Sequence, residues 1–280
     1  MFRTRPTALL LLPIFAFGCK SEPEPPSKTN ASSKAQPNSA PSSKPASKPV
    51  DASVQFITPQ EGSTVFPEVA VAMGVEGMGV RPAGEDPEDR TTGHHHILID
   101  QPEGVPEGTV VPATETSIHY GKGQTTTYVQ VPEGEHTLTL QFADGAHRSY
   151  GSELSSTIKV NVVPSKGERS VEFLAPKDGA KVKSPVSLKM GVSGMEVRPA
   201  GEDTLDKTPG HHHIVIDGEP IPIGVVVPSD ERHIHYGKGQ TEASVELSPG
   251  EHTLTMQFAD GAHASYGPKM SATIKVTVEE

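Results

Sequence analysis

One unit of about 110 residues occurs twice in this 280-residue chain, so the architecture that one copy adopts the other must adopt too. GHHH stands at 93–96 and again at 210–213, RPAGED at 81–86 and 198–203, and IHYGKGQT at 118–125 and 234–241. The offset is 117 residues up to the histidine run and 116 after it. Between 134–162 and 250–278, 22 of 29 positions are identical. A repeat of this length is a duplicated domain, not a solenoid unit. With 34% hydrophobic residues, each copy is long enough to bury a core of its own.

The apolar spacing inside each copy has period two. Val69, Val71 and Met73 alternate with small residues, as do Val186, Leu188 and Met190; Leu138, Leu140 and Phe142 alternate with Thr137, Thr139 and Gln141. No window of a dozen residues sustains a helical stripe, and turn pairs such as Asp144-Gly145 and Pro249-Gly250 punctuate the runs. The expected fold is all-β: two tandem immunoglobulin-like β-sandwich domains, over 53–164 and 170–280, following a disordered tether. Their polar join, 164–169, is short, which makes the domains close neighbours. FITPQEGSTVFPEVAV, echoed by FLAPKDGAKVKSPVSL, resembles the first hairpin of bacterial immunoglobulin-like modules. Strands are expected at 68–75 (B), 94–100 (C), 109–118 (D), 125–131 (E), 136–143 (F) and 156–163 (G).

Residues 1–19 read as an export signal, with Arg3 and Arg5, an apolar stretch from Ala8 to Phe17, then Gly18 and the chain's one cysteine, Cys19. This end resembles a bacterial lipobox, in which the cysteine is lipidated and becomes the mature N-terminus. Ala16 and Phe17 depart from the usual pattern, and ordinary cleavage after Ala-Phe-Gly is the alternative. Both routes export the protein, and lipidation of Cys19 would anchor it to a membrane of the bacterial cell envelope. With a single cysteine, no intrachain disulfide braces the domains. Residues 20–52 are rich in Ser, Pro, Lys and Ala and cannot repay ordering by burial, so they form the tether. Seven Lys or Arg and three Asp or Glu precede Ser53, which turns a net charge of −11 into about −15 over the repeats. Clustered basic residues for nucleic acid are missing.

In an up-and-down sandwich the loops B to C, D to E and F to G gather at one end. Those loops carry His94 and His96, His119, and His147 in the first repeat, and His211 and His213, His235, and His263 in the second. Residues two apart on a strand share a face, so His94 pairs with His96 while His95 turns inward with Ile97 and Ile99. An H-x-H pair completed by a histidine from another strand suits zinc or copper, and Asp144 or Glu85 could add a carboxylate. His95 and His212 are expected to be buried with their hydrogen bonds satisfied, His136 and His252 to serve the opposite end, and His233 to be exposed. Met78 and Met195 lie near the histidines, where packing under a loop is the simpler role.

No nucleophile elbow, catalytic cysteine or glycosidase-like acid pair occurs, and GKGQ lacks the strand-to-helix setting of a phosphate loop. The chain is therefore expected not to be an enzyme. GHHH, IHYGKGQT, PGEHTLTMQFADG and SYGPKMSATIKV together resemble a tandem form of the bacterial domain of unknown function family 4399, over roughly 85–163 and 202–279. That resemblance implies an exported envelope protein and no established activity. Three readings stand: copper or zinc binding at one end of each repeat; a structural or adhesive spacer that binds another envelope component; and an anion receptor using Arg81, Lys122 and protonated histidines. Oligomeric state does not follow from the sequence.

Overall fold

The computed structural model describes Pro49 and residues 51–280. The export signal over 1–19 with Cys19, and the tether over 20–52 apart from Pro49, Asp51 and Ala52, lie outside the described residues. The first repeat contributes β1 (Ser53–Thr58), β2 (Ser63–Val65), β3 (Glu68–Glu76), β4 (Gly79–Val80), β5 (Thr92–Ile99), β6 (Ser117–His119), β7 (Thr126–Gln130), β8 (Gly134–Ala143) and β9 (Ser155–Val162). The second follows the same order with β10 (Ser170–Ala175), β11 (Ala180–Lys183), β12 (Val186–Ser193), β13 (Glu196–Val197), β14 (Pro209–Ile216), β15 (His233–Tyr236), β16 (Glu242–Val245), β17 (Gly250–Ala259) and β18 (Ser271–Glu279).

Each repeat packs two sheets face to face. In the first, β1-β3-β7 is one sheet and β2-β9-β8-β5-β4 the other, with β6 on the same edge of β5 as β4; the second repeat has the identical arrangement. Alternation sends Val69, Val71 and Met73 of β3 inward to meet Ile97, Leu138, Leu140 and Phe142 of the larger sheet. Full burial of one such side chain contributes about 1.5–3 kcal/mol. The second core repeats this with Val186, Leu188 and Met190 against Ile214, Leu254, Met256 and Phe258.

Two local expectations are corrected. The opening is not one hairpin: β1 runs antiparallel to β3, then the chain crosses sheets and β2 pairs parallel to β9 (Ser63 with Val160). Pro59, without an N–H, interrupts the ladder, and Gly62 at φ 77° turns the chain across. Strand D shrinks from 109–118 to Ser117–His119. Pro112 cannot donate to a ladder, residues 112–116 are exposed, and isolated bridges at Val110 and Thr114 are what remains.

Candidate metal centre

β5 is buried along its entire length, on both faces. One face looks into the sandwich. The other is covered by the connection over 100–116, under which Leu98 packs with Val105, Val111 and Ala143. Register decides which histidine goes where. His94 stands opposite Ala143, and His96 opposite Gln141 on β8 and His119 on β6, so these side chains share the outer face. His95 stands opposite Phe142 and enters the core, ring to ring at 5.0 Å.

His147 arrives from the turn after β8. Asp144 Oδ1 accepts the N–H groups of Ala146 and Arg148, both at 2.9 Å, and His147 N donates to Asp144 O at 2.8 Å. That closed turn holds His147 at φ 65° and aims its ring back over the sheet. The Asp144 carboxylate is also bound by Arg148 Nε (2.8 Å) and Arg90 Nη1 (3.2 Å). In the second repeat Lys207 stands in for these arginines, with Nζ 2.5 Å from Asp260.

The result is a group of four imidazoles in each repeat. Ring centres of His94 lie 4.9 Å from His96, 5.0 Å from His119 and 5.0 Å from His147; His96 to His119 is 5.0 Å and His119 to His147 4.8 Å. The corresponding separations among His211, His213, His235 and His263 are 4.7–5.0 Å, with His213 to His263 wider at 5.9 Å. Nε2 of His96 meets Nε2 of His94 at 3.1 Å, and Nε2 of His213 meets that of His211 at 2.9 Å. Two nitrogens bound at about 2.0 Å to one tetrahedral zinc would stand roughly 3.3 Å apart. Donor atoms of His94, His119 and His147, and in the second repeat of His211, His213 and His235, all lie within 4.8 Å of one another. All eight histidines expected at the site are thus brought together, four by four.

Burial grades across each cluster, with His94 and His96 inaccessible, His147 half-buried and His119 exposed. Desolvation first, and the neighbouring imidazoles second, hold the His94 pKa at about 4 and that of His96 at about 2. His211 and His213 follow at about 4 and about 2 for the same reasons. Desolvation, then the charge of His147, also lowers His119. These rings are neutral imidazoles at neutral pH, the form that binds a metal. Nδ1 of His94, His96, His211 and His213 has no protein partner.

Other candidates are placed elsewhere. Asp144 is held by its two arginines, and Glu85 is exposed with no contact to the rings. Met78 and Met195 pack against the two cores. His136 binds Asp100 at 2.8 Å and His252 binds Asp217 at 2.9 Å, away from the clusters. His233 is half-buried rather than exposed, and binds Asp230 at 2.7 Å. His95 and His212 are buried as expected, but neither ring nitrogen of either has a partner, because the core around them is apolar. Two residues that matter went unrecognised in the sequence, Gly121 and Gly237: a Cβ at either would lie within the ring of His119 or His235. Their signal is the glycine that follows His-Tyr in both repeats.

The fold and site define a tandem pair of β-sandwich domains, each with a four-histidine cluster on the outer face of its larger sheet. The chain belongs to the family described as domain of unknown function DUF4399, whose model matches residues 71–163 and 188–279. A search of curated protein sequences gives no match. Among solved structures it is similar to fibronectin(III)-like modules of Clostridium thermocellum CbhA, at 14% identity and TM-score 0.30, covering 81% of this chain and 94% of that one. It is also similar to domains 4 and 5 of the S-layer protein SbsC (11%, TM-score 0.23, 84% and 100%). Latent PorU from Porphyromonas gingivalis is a third (14%, TM-score 0.29, 81% and 20%).

Proposed function

We propose that each repeat binds one divalent transition-metal ion, copper(II) or zinc, through its four imidazoles, and that the chain is a non-catalytic protein of the bacterial envelope, exported by residues 1–19 and tethered to a membrane through Cys19. The observation that carries the metal reading is the buried pair of facing Nε2 atoms, 3.1 and 2.9 Å apart, with two further histidines around each pair. An ion held by each facing Nε2 pair and the two outer rings would have four neutral nitrogen donors, a set that suits zinc and copper(II) better than it suits copper(I), which favours sulfur.

The rivals fare worse on the same geometry. An anion receptor needs protonated rings, and burial opposes protonation here. Its arginines are also engaged, Arg198 by Glu196 and Asp206, Arg81 by Asp89. A purely structural role gives no reason for two further imidazoles to gather around each facing Nε2 pair. Calorimetric titration of copper(II) and zinc into the full chain should give two ions per chain. A folded variant with His94, His96, His211 and His213 replaced by alanine should lose both. Equal weak binding in the two proteins would overturn the reading in favour of a spacer that binds another envelope component.

A further inference from the structure

The two clusters share their imidazoles and differ in what stands behind them. In the second repeat, the loop over 201–208 is held between the His263 turn and the first repeat. On the site side, Gly201 N donates to Gly261 O at 2.8 Å, and buried Lys207 donates through Nζ to Thr204 O (2.6 Å) and pairs with Asp260. Asp260 Oδ1 accepts the N–H groups of Ala262 (2.8 Å) and Ala264 (2.9 Å), which fixes the turn that projects His263. On the far side, Thr64 of β2 accepts from Lys207 N at 2.7 Å and donates to no acceptor in its own repeat; its N–H goes to Leu205 O at 3.0 Å. The loop therefore extends the edge of the first repeat as a short parallel ladder, Thr64 beside Asp206.

A second contact reaches the same scaffold. The Tyr128 hydroxyl donates to Tyr266 O at 2.8 Å and accepts from Lys269 N at 3.3 Å, while Glu68 pairs with Arg169 and Lys269. Tyr266 in turn donates through its hydroxyl to Pro209 O, at the start of the strand that carries His211 and His213. Two supports of the second cluster, the His263 turn and the start of the His211 strand, thus run back to the first repeat within a few bonds. The corresponding loop of the first repeat, over 84–91, closes on its own turn through Arg90, Arg148 and Asp144. Among the described residues, no hydrogen bond from the second repeat reaches it.

We infer that the first repeat is a clamp on the second metal site: its docking through Thr64, Glu68 and Tyr128 holds the His263 turn closed, so that the second site releases its ion more slowly than the first and loses this advantage when the junction opens. The inference rests on the metal reading above. Linkage makes it reciprocal, so an ion in the second site also tightens the junction, and an ion in the first does not.

The test isolates each site in the full chain. His119→Ala with His147→Asn empties the first, and His235→Ala with His263→Asn empties the second, asparagine being chosen because it tolerates the positive φ at 147 and 263. Into each background goes Glu68→Ala with Tyr128→Phe. Zinc release is followed by chelator competition, and amide hydrogen exchange over 201–208 and 260–264 is followed without metal. Opening the junction should speed release from the second site roughly five-fold or more, the lower range of ordinary coupling between sites, and leave the first unchanged. Exchange in the two segments should quicken in the metal-free protein. Unchanged release and exchange, or equal weakening of both sites, would overturn the clamp. Faster exchange in a chain that binds no zinc or copper would leave the clamp on the scaffold and remove the metal reading alone.

Discussion

At the scale of single residues, glycine 121 and the buried histidines make opposite demands on the same site. Gly121 is needed for space: the ring of His119 lies where a Cβ would be. The clash is with the movable end of an exposed side chain, so Gly121→Ala should cost little stability, within the roughly 0.5 kcal/mol of an ordinary surface change. It should nonetheless swing His119 away and weaken zinc binding at the first site by about ten-fold or more, at least what loss of an outer-shell partner costs. Paired thermal melts and zinc titrations check both halves; a large fall in melting temperature with intact affinity would contradict the assignment. The buried rings set the pH dependence. Histidine in the unfolded chain titrates near 6.5, whereas folded His94 is held at about 4 and His96 at about 2. Above pH 6.5 neither state binds the proton. As pH falls below it, the unfolded chain takes up protons that the folded chain refuses, so stability of the metal-free protein declines from about 6.5 down through about 4 and further as His96 resists. Denaturant midpoints at pH 8, 6 and 4.5 should fall in that order. By the same shifts, competition between protons and metal at the buried ligands sets in lower than the 6.5 expected of exposed histidine.

At the scale of the strand, β5 is a single element with two chemistries. Its alternation places His94, His96 and Leu98 under the covering loop and His95, Ile97 and Ile99 in the core. Alternation was legible in the sequence, as were the sandwich and the convergence of His119 and His147 on the pair, because period two and up-and-down connectivity dictate them. What was not legible has a common cause. The loop over 100–116 has no periodicity, so nothing in it foretold that it would fold over the outer face and bury the H-x-H pair, which was expected on a strand face at one end of the sandwich without that cover. Nor could spacing reveal that Asp144 would be taken by Arg90, 54 residues away. The inward histidine gives the sharpest contrast between the faces. His95 buries two ring nitrogens with no partner, against Phe142. Replacing an unsatisfied polar group with an apolar one of similar size removes a desolvation cost of about 1–3 kcal/mol. His95→Leu should therefore be neutral or stabilising in urea denaturation and should leave two ions per chain, whereas His94→Ala with His96→Ala abolishes binding at the first site. Loss of metal in His95→Leu would make His95 a ligand and undo the two-face assignment.

At the scale of the whole molecule, the two copies keep the cluster and diverge at the junction. Phe66, Glu68 and Tyr128 meet the second repeat, and their equivalents there are Lys183, Pro185 and Ser244; the equivalent of Lys269 in the first repeat is Glu153. The side-chain half of the docking is therefore not repeated in the second copy, which has no carboxylate or tyrosine at the equivalent positions. Arg169 illustrates how the join is secured. Its guanidinium lies over the Phe66 ring at 5.6 Å, bonds to the backbone and carboxylate of Glu68, and leaves its side chain only 10% exposed. An isolated surface ion pair contributes about 0–1 kcal/mol, but here removing the carboxylate leaves a largely buried cation with the Glu68 backbone oxygen alone, which costs on the order of 1–3 kcal/mol. Losing the Tyr128 hydroxyl adds about 1 kcal/mol for one neutral hydrogen bond. Terms of that size are comparable to what couples two small domains, so the repeats should unfold together in the parent and separately once the junction is cut. Calorimetry of the metal-free chain should show one transition for the parent and two for Glu68→Ala with Tyr128→Phe, the total enthalpy being nearly conserved because both cores remain intact. A single, unshifted transition in the variant would mean that Glu68 and Tyr128 carry none of the coupling between the repeats, which would then rest on the ladder from Thr64 to Leu205 and Lys207.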